Sequence, residues 1–202
     1  MALFLTLIIT SFIITSIAIV PFIDALYKLK FLRQKQKTHD FMGKRTPIFD
    51  KFHHQKAGTP IGGGILLLFL IIIIFALTFL WLKFSNVYIS SCFPITKEIN
   101  IIFFTLISFG FLGFFDDIKK IFNLEKKGVF GLRLRYKFIV QWILAFTISL
   151  FLYFDLGIDI INIPLLGVFK IGAFYIPLST FIIVAFTNAF NITDGLDGLA
   201  SG

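Results

Sequence analysis

The residues able to do chemistry in this chain gather in three short stretches. The first is FFDDIKK, Phe114 to Lys120, in which Asp116 and Asp117 follow directly on the apolar run IIFFTLISFGFLG. Adjacent carboxylates diverge by about 100° on a helix, so they suit two jobs better than one bidentate clamp. Two close carboxylates repel unless a cation or a shared proton intervenes. Mg²⁺ fits such a pair, because it takes one or two carboxylates and completes its shell with water and substrate phosphates. The plainer reading is a helix terminus whose acids pair with Lys119 and Lys120.

The second stretch is FHHQKAGTPIGGG, Phe52 to Gly64. Its glycines let backbones approach closely, and successive N–H groups in a Gly-rich turn form an anion-binding concavity. Lys56 precedes it as a donor to phosphate or carbonyl oxygen. His53 and His54 are adjacent, which is not the i, i+4 spacing of a zinc pair, and a surface role is their default. The third stretch is NAFNITDGLDGLASG, Asn188 to Gly202. Asn188, Asn191, Asp194 and Asp197 recur every third residue and drift about 60° per step around a helix, giving one broad polar stripe. Gly195 and Gly198 make a turn or broken helix as good a reading as a continuous one. Amides beside carboxylates can read a neutral hydrogen-bonding partner such as a nucleobase or sugar.

The elements that must position these stretches belong to a membrane protein. Of 202 residues 57% are hydrophobic, 29 are phenylalanine and only 15% are charged, against about 25% charged in soluble domains. Apolar runs of membrane-spanning length are read at about 2–26, 61–82, 98–115, 136–155 and 175–190. The expected fold is an all-α polytopic membrane protein, with about five transmembrane helices in a single membrane domain covering 1–202. IDIINIPLLGVFKIGAFYIPLS, which is too apolar for a solvated loop, reads as a small external β-hairpin with its turn near Gly167. The first run has no basic flank or cleavage site and reads as a retained helix. The lone Cys92 supports neither a disulfide framework nor a zinc site.

Sixteen of the nineteen basic residues fall in the first and third connections or just beyond them. Alternate connections share a side, and the positive-inside rule makes that side cytoplasmic. The N-terminus is then outside, and all three polar stretches meet the cytoplasmic boundary. The net charge of +8 is explained by head groups or an anionic substrate, without nucleic acid. An acidic pair, a Gly-rich turn with a lysine and an Asn/Asp stripe suggest a Mg²⁺-assisted site for a phosphorylated cytoplasmic substrate. The residues themselves do not name a reaction.

The three stretches resemble motifs of the polyprenyl-phosphate N-acetylhexosamine-1-phosphate transferases, in the same order. HHQKAGTPIGGG is similar to HxxKxGTPxxGG, FFDDIKK to DDxxK, and NAFNITDGLDGLA to NxxNxTDGLDGLA. The resemblance is to the muramoyl-pentapeptide branch of the family, at the bacterial cytoplasmic membrane. It implies UDP-N-acetylmuramoyl-pentapeptide and undecaprenyl phosphate as substrates, Mg²⁺ as cofactor, UMP as leaving group and a possible homodimer. It places Asp116 and Asp117 in catalysis and metal binding, with a third metal ligand expected beyond Gly202. Lys56, Asn188, Asn191, Asp194 and Asp197 take the uridine and ribose side, Lys120 neutralises phosphate charge, and His53 joins the substrate-binding group.

The chain departs from the family pattern in several places. Family members run to about ten helices, so the 202 residues are expected to be the N-terminal half of a longer transferase and inactive alone. Ile61-Gly62 stands where many relatives have Thr-Met, and GKRTPIFDKF differs from RxDGPxxH. A sister activity, GlcNAc-1-phosphate transfer, is disfavoured by Lys120 and the histidine motif. An ion transporter would place ionisable residues at mid-bilayer, where this chain has almost none. A non-catalytic membrane scaffold is the remaining alternative.

Overall fold

The computed structural model describes residues 2–32, 58–85, 92–122 and 134–193. Five α-helices carry them: α1 Ala2–Lys28, α2 Gly63–Phe84, α3 Ile95–Phe122, α4 Leu134–Phe154 and α5 Tyr175–Thr193. Among the described residues these five are long and apolar enough to cross a membrane, with spans of 19 to 24 residues. At 1.5 Å per residue the shortest span reaches about 28 Å, close to the thickness of a bilayer's hydrocarbon layer. A small antiparallel hairpin completes the fold. The surface is apolar, as lipid requires: on α1, Phe12 is 72% and Ile17 70% exposed.

The hydroxyls inside these helices answer the problem of a polar group in hydrocarbon locally. Thr10, Thr78, Thr105, Thr147 and Thr187 each donate to the carbonyl four residues back, at 2.7–2.9 Å. No inter-helix partner is then required to satisfy them.

The helices begin and end within a few residues of the apolar runs, except α3. The sequence places its end at residue 115, whereas the helix continues to Phe122. Asp116 to Phe122 contains neither Gly nor Pro, so nothing interrupts the backbone ladder there. The acid pair therefore sits within a continuous helix, more than one turn before its end.

The chain forms two compact units: Met1–Ser90 with Gly110–Arg133, and Ser91–Phe109 with Leu134–Gly202. In the first, α1 packs on α2. The residues after α1 return to the entrance of α2: Ile61 N–H donates to Phe31 O at 2.9 Å, and Leu32 bridges Pro60. Gly62 caps α2 with φ +109°, a left-handed conformation open to glycine and costly to residues with a Cβ. Farther along, α3 approaches α2 so closely that a Cβ on Gly110 would stand 2.7 Å from Leu68 Cδ1.

In the second unit α4 and α5 pack along narrow stripes. Gln141, Ala145, Ile148 and Ser149 are buried on α4, and Ser179, Thr180 and Val184 on α5. Thr180 Oγ1 and Ser149 Oγ lie 3.0 Å apart, and each is 2.8 Å from a carbonyl of its own helix, Ile176 O and Ala145 O. Each hydroxyl has one proton. Both contacts at Ser149 are met at once when Ser149 donates to Ala145 O and Thr180 donates to Ser149 Oγ. The α3 segment of this unit joins α4 through an edge-to-face pair, Phe104–Phe151, with ring centroids 5.3 Å apart. Lys97 Nζ also donates to Asp155 O at 3.0 Å. That ammonium sits just past the C-terminus of α4, where the helix dipole favours a cation.

Between α4 and α5, β1 (Ile160–Ile163) pairs antiparallel with β2 (Gly167–Lys170), Ile160 opposite Lys170 and Ile163 opposite Gly167. The turn expected near Gly167 is formed by Pro164–Leu166, with Gly167 itself opening β2, and Leu165 holds φ +74° there. The base is closed by Lys170 Nζ to Asp159 Oδ2 at 3.2 Å and by Ile171 and Gly172 N–H to Asp159 O. A 3₁₀ turn, Gly172–Phe174, leads into α5.

Candidate functional site

Of the residues singled out by type and spacing, Asp116, Asp117, Asn188 and Asn191 are described with their side chains. Lys120 is described as a position on α3. His53, Lys56, Asp194 and Asp197 lie outside the described residues.

In the first unit, Asp116 and Asp117 are both half-buried on α3. As neighbours on a helix they point about 100° apart. Lys120 stands one turn beyond Asp116, so the DDxxK spacing places all three positions within about one helical turn. Gly110 lies six residues before Asp116, and its contact partner Leu68 lies six residues after Gly62. Six residues of helix span about 9 Å. Spans joined by one connection run in opposite directions, so Asp116 and the Gly62 turn come to about the same level along α3 and α2. The GTPIGG and DDxxK stretches are thus level within one unit.

Among the described residues no group of three or more His, Cys, Asp or Glu side chains gathers to hold a metal. The chemistry of the acid pair nevertheless fits Mg²⁺. Two half-buried carboxylates supply the share of ligands the ion takes from protein when phosphates and water provide the rest.

In the second unit, Asn188 and Asn191 lie on the last turns of α5. Asn188 is half-buried on the line that continues Thr180 and Val184, at intervals of four residues. Its Nδ2 donates to Val184 O at 2.8 Å, which fixes the carboxamide's direction. That contact uses one N–H and leaves the second N–H and Oδ1 available for other partners. Asn191, one turn on, is exposed.

Sequence reasoning missed Gln141. It is 3% exposed, and its carboxamide makes no hydrogen bond among the described residues. An orphaned buried amide costs about 1–3 kcal/mol. In an antiparallel pair, residue numbers facing each other keep a constant sum. The Ser149–Thr180 contact therefore sets Ala145 across from Val184 and Gln141 across from Asn188. Half-buried Lys137 lies one turn before Gln141 on the same face of α4. The available signal was the one carboxamide within the run FIVQWILAF.

A cavity of about 570 Å³ between the start of α1 and the end of α2 is lined by Leu7, Ile14, Leu77, Trp81 and neighbours. It lies at the opposite end of α2 from Gly62 and has no ionisable side chain. It does not belong to the candidate site.

Comparison with known proteins gives a consistent family. The model of glycosyl transferase family 4 matches residues 99–202. Three curated relatives, all bearing the name phospho-N-acetylmuramoyl-pentapeptide-transferase, match most of the chain. The one from Borreliella burgdorferi is 38% identical over 191 residues, 93% of this chain and 48% of the relative. The one from Clostridium perfringens is 37% identical, over 96% of this chain and 52% of the relative. The one from Thermodesulfovibrio yellowstonii is 34% identical, over 96% and 48%. The chain spans about half the length of these relatives.

Proposed function

Because the chain belongs to glycosyl transferase family 4, we propose that it is part of a membrane phosphosugar transferase. In this reading the enzyme moves phospho-N-acetylmuramoyl-pentapeptide from UDP to undecaprenyl phosphate, making the first lipid intermediate of peptidoglycan. What carries the reading is the match along 93–96% of the chain to relatives of that name. The level placement of the acid pair and the Gly62 turn supports it.

The reaction forms one bond and breaks one. A phosphate oxygen of the lipid attacks the β-phosphorus of the nucleotide-sugar, the bond from that phosphorus to the bridging oxygen breaks, and UMP leaves with that oxygen and the electron pair. Asp116 engages the lipid phosphate and takes its proton. Asp117, with Asp116 beside it, would hold Mg²⁺, and the bound ion would supply charge neutralisation for the pyrophosphate. Lys120 stands one turn from Asp116, where an ammonium offsets the phosphates' negative charge. Lys56, Asn188, Asn191, Asp194 and Asp197 form the nucleoside side, with His53 among the substrate-binding residues. The chemistry rests on positioning and charge stabilisation, as phosphoryl transfer does generally. The basic first and third connections support a cytoplasmic position for this site.

The test is Asp116→Asn and Asp117→Asn in the full-length protein, assayed for UMP release from UDP-N-acetylmuramoyl-pentapeptide. Each is expected to lower turnover by roughly 10²-fold or more, the scale of losing an acid–base or charge-stabilising group. Unchanged turnover in both would sink the assignment.

A further inference from the structure

Gln141 stands apart from every other buried polar side chain described. Ser149 and Thr180 meet each other, Ser179 donates to carbonyls of its own helix, and Gln141 alone of the four has no bonded partner among the described residues. It is 97% out of contact with solvent and sits in register with Asn188, whose own carboxamide is anchored to Val184 O and keeps Oδ1 and one N–H in hand. Two carboxamides at one level on facing helices present paired donors and acceptors without charge. Being uncharged, such a pair has no preference for a phosphate or a metal ion over a neutral partner. It suits another amide or imide, which offers an acceptor and a donor side by side.

We propose that Gln141 is a donor-recognition residue that, together with Asn188, hydrogen-bonds a neutral CO–NH group of the nucleotide-sugar. This rests on the transferase reading above. The group has two sources in that substrate: the imide of the uracil ring, or the amides of the N-acetyl sugar and its peptide. Bound substrate then supplies the partner that the buried amide otherwise lacks.

The experiment compares wild type, Gln141→Leu and Gln141→Met in the full-length protein in lipid nanodiscs. Binding of UMP and of UDP-N-acetylmuramoyl-pentapeptide is measured, together with apo-protein melting and KM for each substrate. Gln141→Leu is expected to weaken donor binding roughly three- to tenfold, the value of one net hydrogen bond. Apo melting should not fall, because replacing an unpartnered buried amide by an apolar group of similar size is close to neutral. KM for the nucleotide-sugar should rise more than kcat falls, and KM for the lipid should hold. Gln141→Met, unbranched and of similar length, repeats the test should Leu fail to fold. In an Asn188→Ala background the Gln141 effect should shrink.

Weakening of UMP binding would identify the base imide, and weakening confined to the whole donor would identify the sugar–peptide amides. Either supports the proposal. Unchanged affinity for both ligands, or full additivity with Asn188→Ala, overturns it while leaving the transferase reading intact. A wild type that binds neither ligand overturns both.

Discussion

Gly110→Ala probes the contact that brings the acid pair level with the Gly62 turn. A Cβ at this position would stand 2.7 and 2.8 Å from Leu68 Cδ1 and Cδ2, and 3.3 Å from Leu68 Cγ. Carbon atoms rest about 3.5–4.0 Å apart, so two methyls are each overlapped by about 1 Å. Turning χ2 can put the Cγ hydrogen in place of one methyl but leaves the other, so full relief needs a new χ1 or a shift of α3 away from α2. Overpacking of this kind costs about 1–3 kcal/mol. Alanine recovers about 1 kcal/mol over glycine in a helix, which leaves a net loss of about 0–2 kcal/mol. The diagnostic is the sign of the coupling. Leu68→Ala alone opens a gap, yet in the Gly110→Ala background it also removes the obstructing atoms, so the double variant should beat the sum of the singles by about 1 kcal/mol. Thermal unfolding of the four proteins in one detergent completes the cycle, and Gly110→Leu should also depress turnover. Additivity within about 0.3–0.5 kcal/mol, the range for sites that do not touch, would refute the contact.

Three further outcomes are expected. Ser149→Ala and Thr180→Val should couple weakly, by about 0.6 and no more than about 1.7 kcal/mol, since a hydroxyl that loses its partner has a carbonyl of its own helix 2.8 Å away to take its proton; a cycle returning several kcal/mol would refute that local rescue. Leu165→Asn should raise the melting temperature slightly, by relieving part of the roughly 1–2 kcal/mol that a left-handed residue with a Cβ costs; a lower melting temperature would mean that this exposed side chain makes a contact of greater value. Excess EDTA should abolish UMP release and added Mg²⁺ restore it, and turnover that persists under chelation removes the metal from the reading.

Much of the architecture was legible because lipid imposes a strict length on apolar runs, which is why five helices could be placed from hydropathy alone. The hairpin was legible for a related reason, since β-branched residues flanking Pro164–Leu166 leave little else for so apolar a connection to do. The end of α3 was less so. Charged residues suggested a boundary at Asp116, but charge alone does not break a helix, and the stretch to Phe122 holds no residue that would. The acid pair and the Asn stripe were visible by residue type. Their surroundings were not, because Gly110's approach to Leu68 and Gln141's position across from Asn188 depend on which helix packs on which, and at what register. A lone Gln in an apolar run reads as an oddity until its neighbour is known.

The Ser149–Thr180 contact lies two turns, about 12 Å, from Asn188 along α5. A thicker or thinner bilayer is met by tilting helices. With their buried stripes packed together around that contact, α4 and α5 are expected to tilt as a single strut. The carboxamides at its tip then stay abreast whatever the thickness of the surrounding lipid.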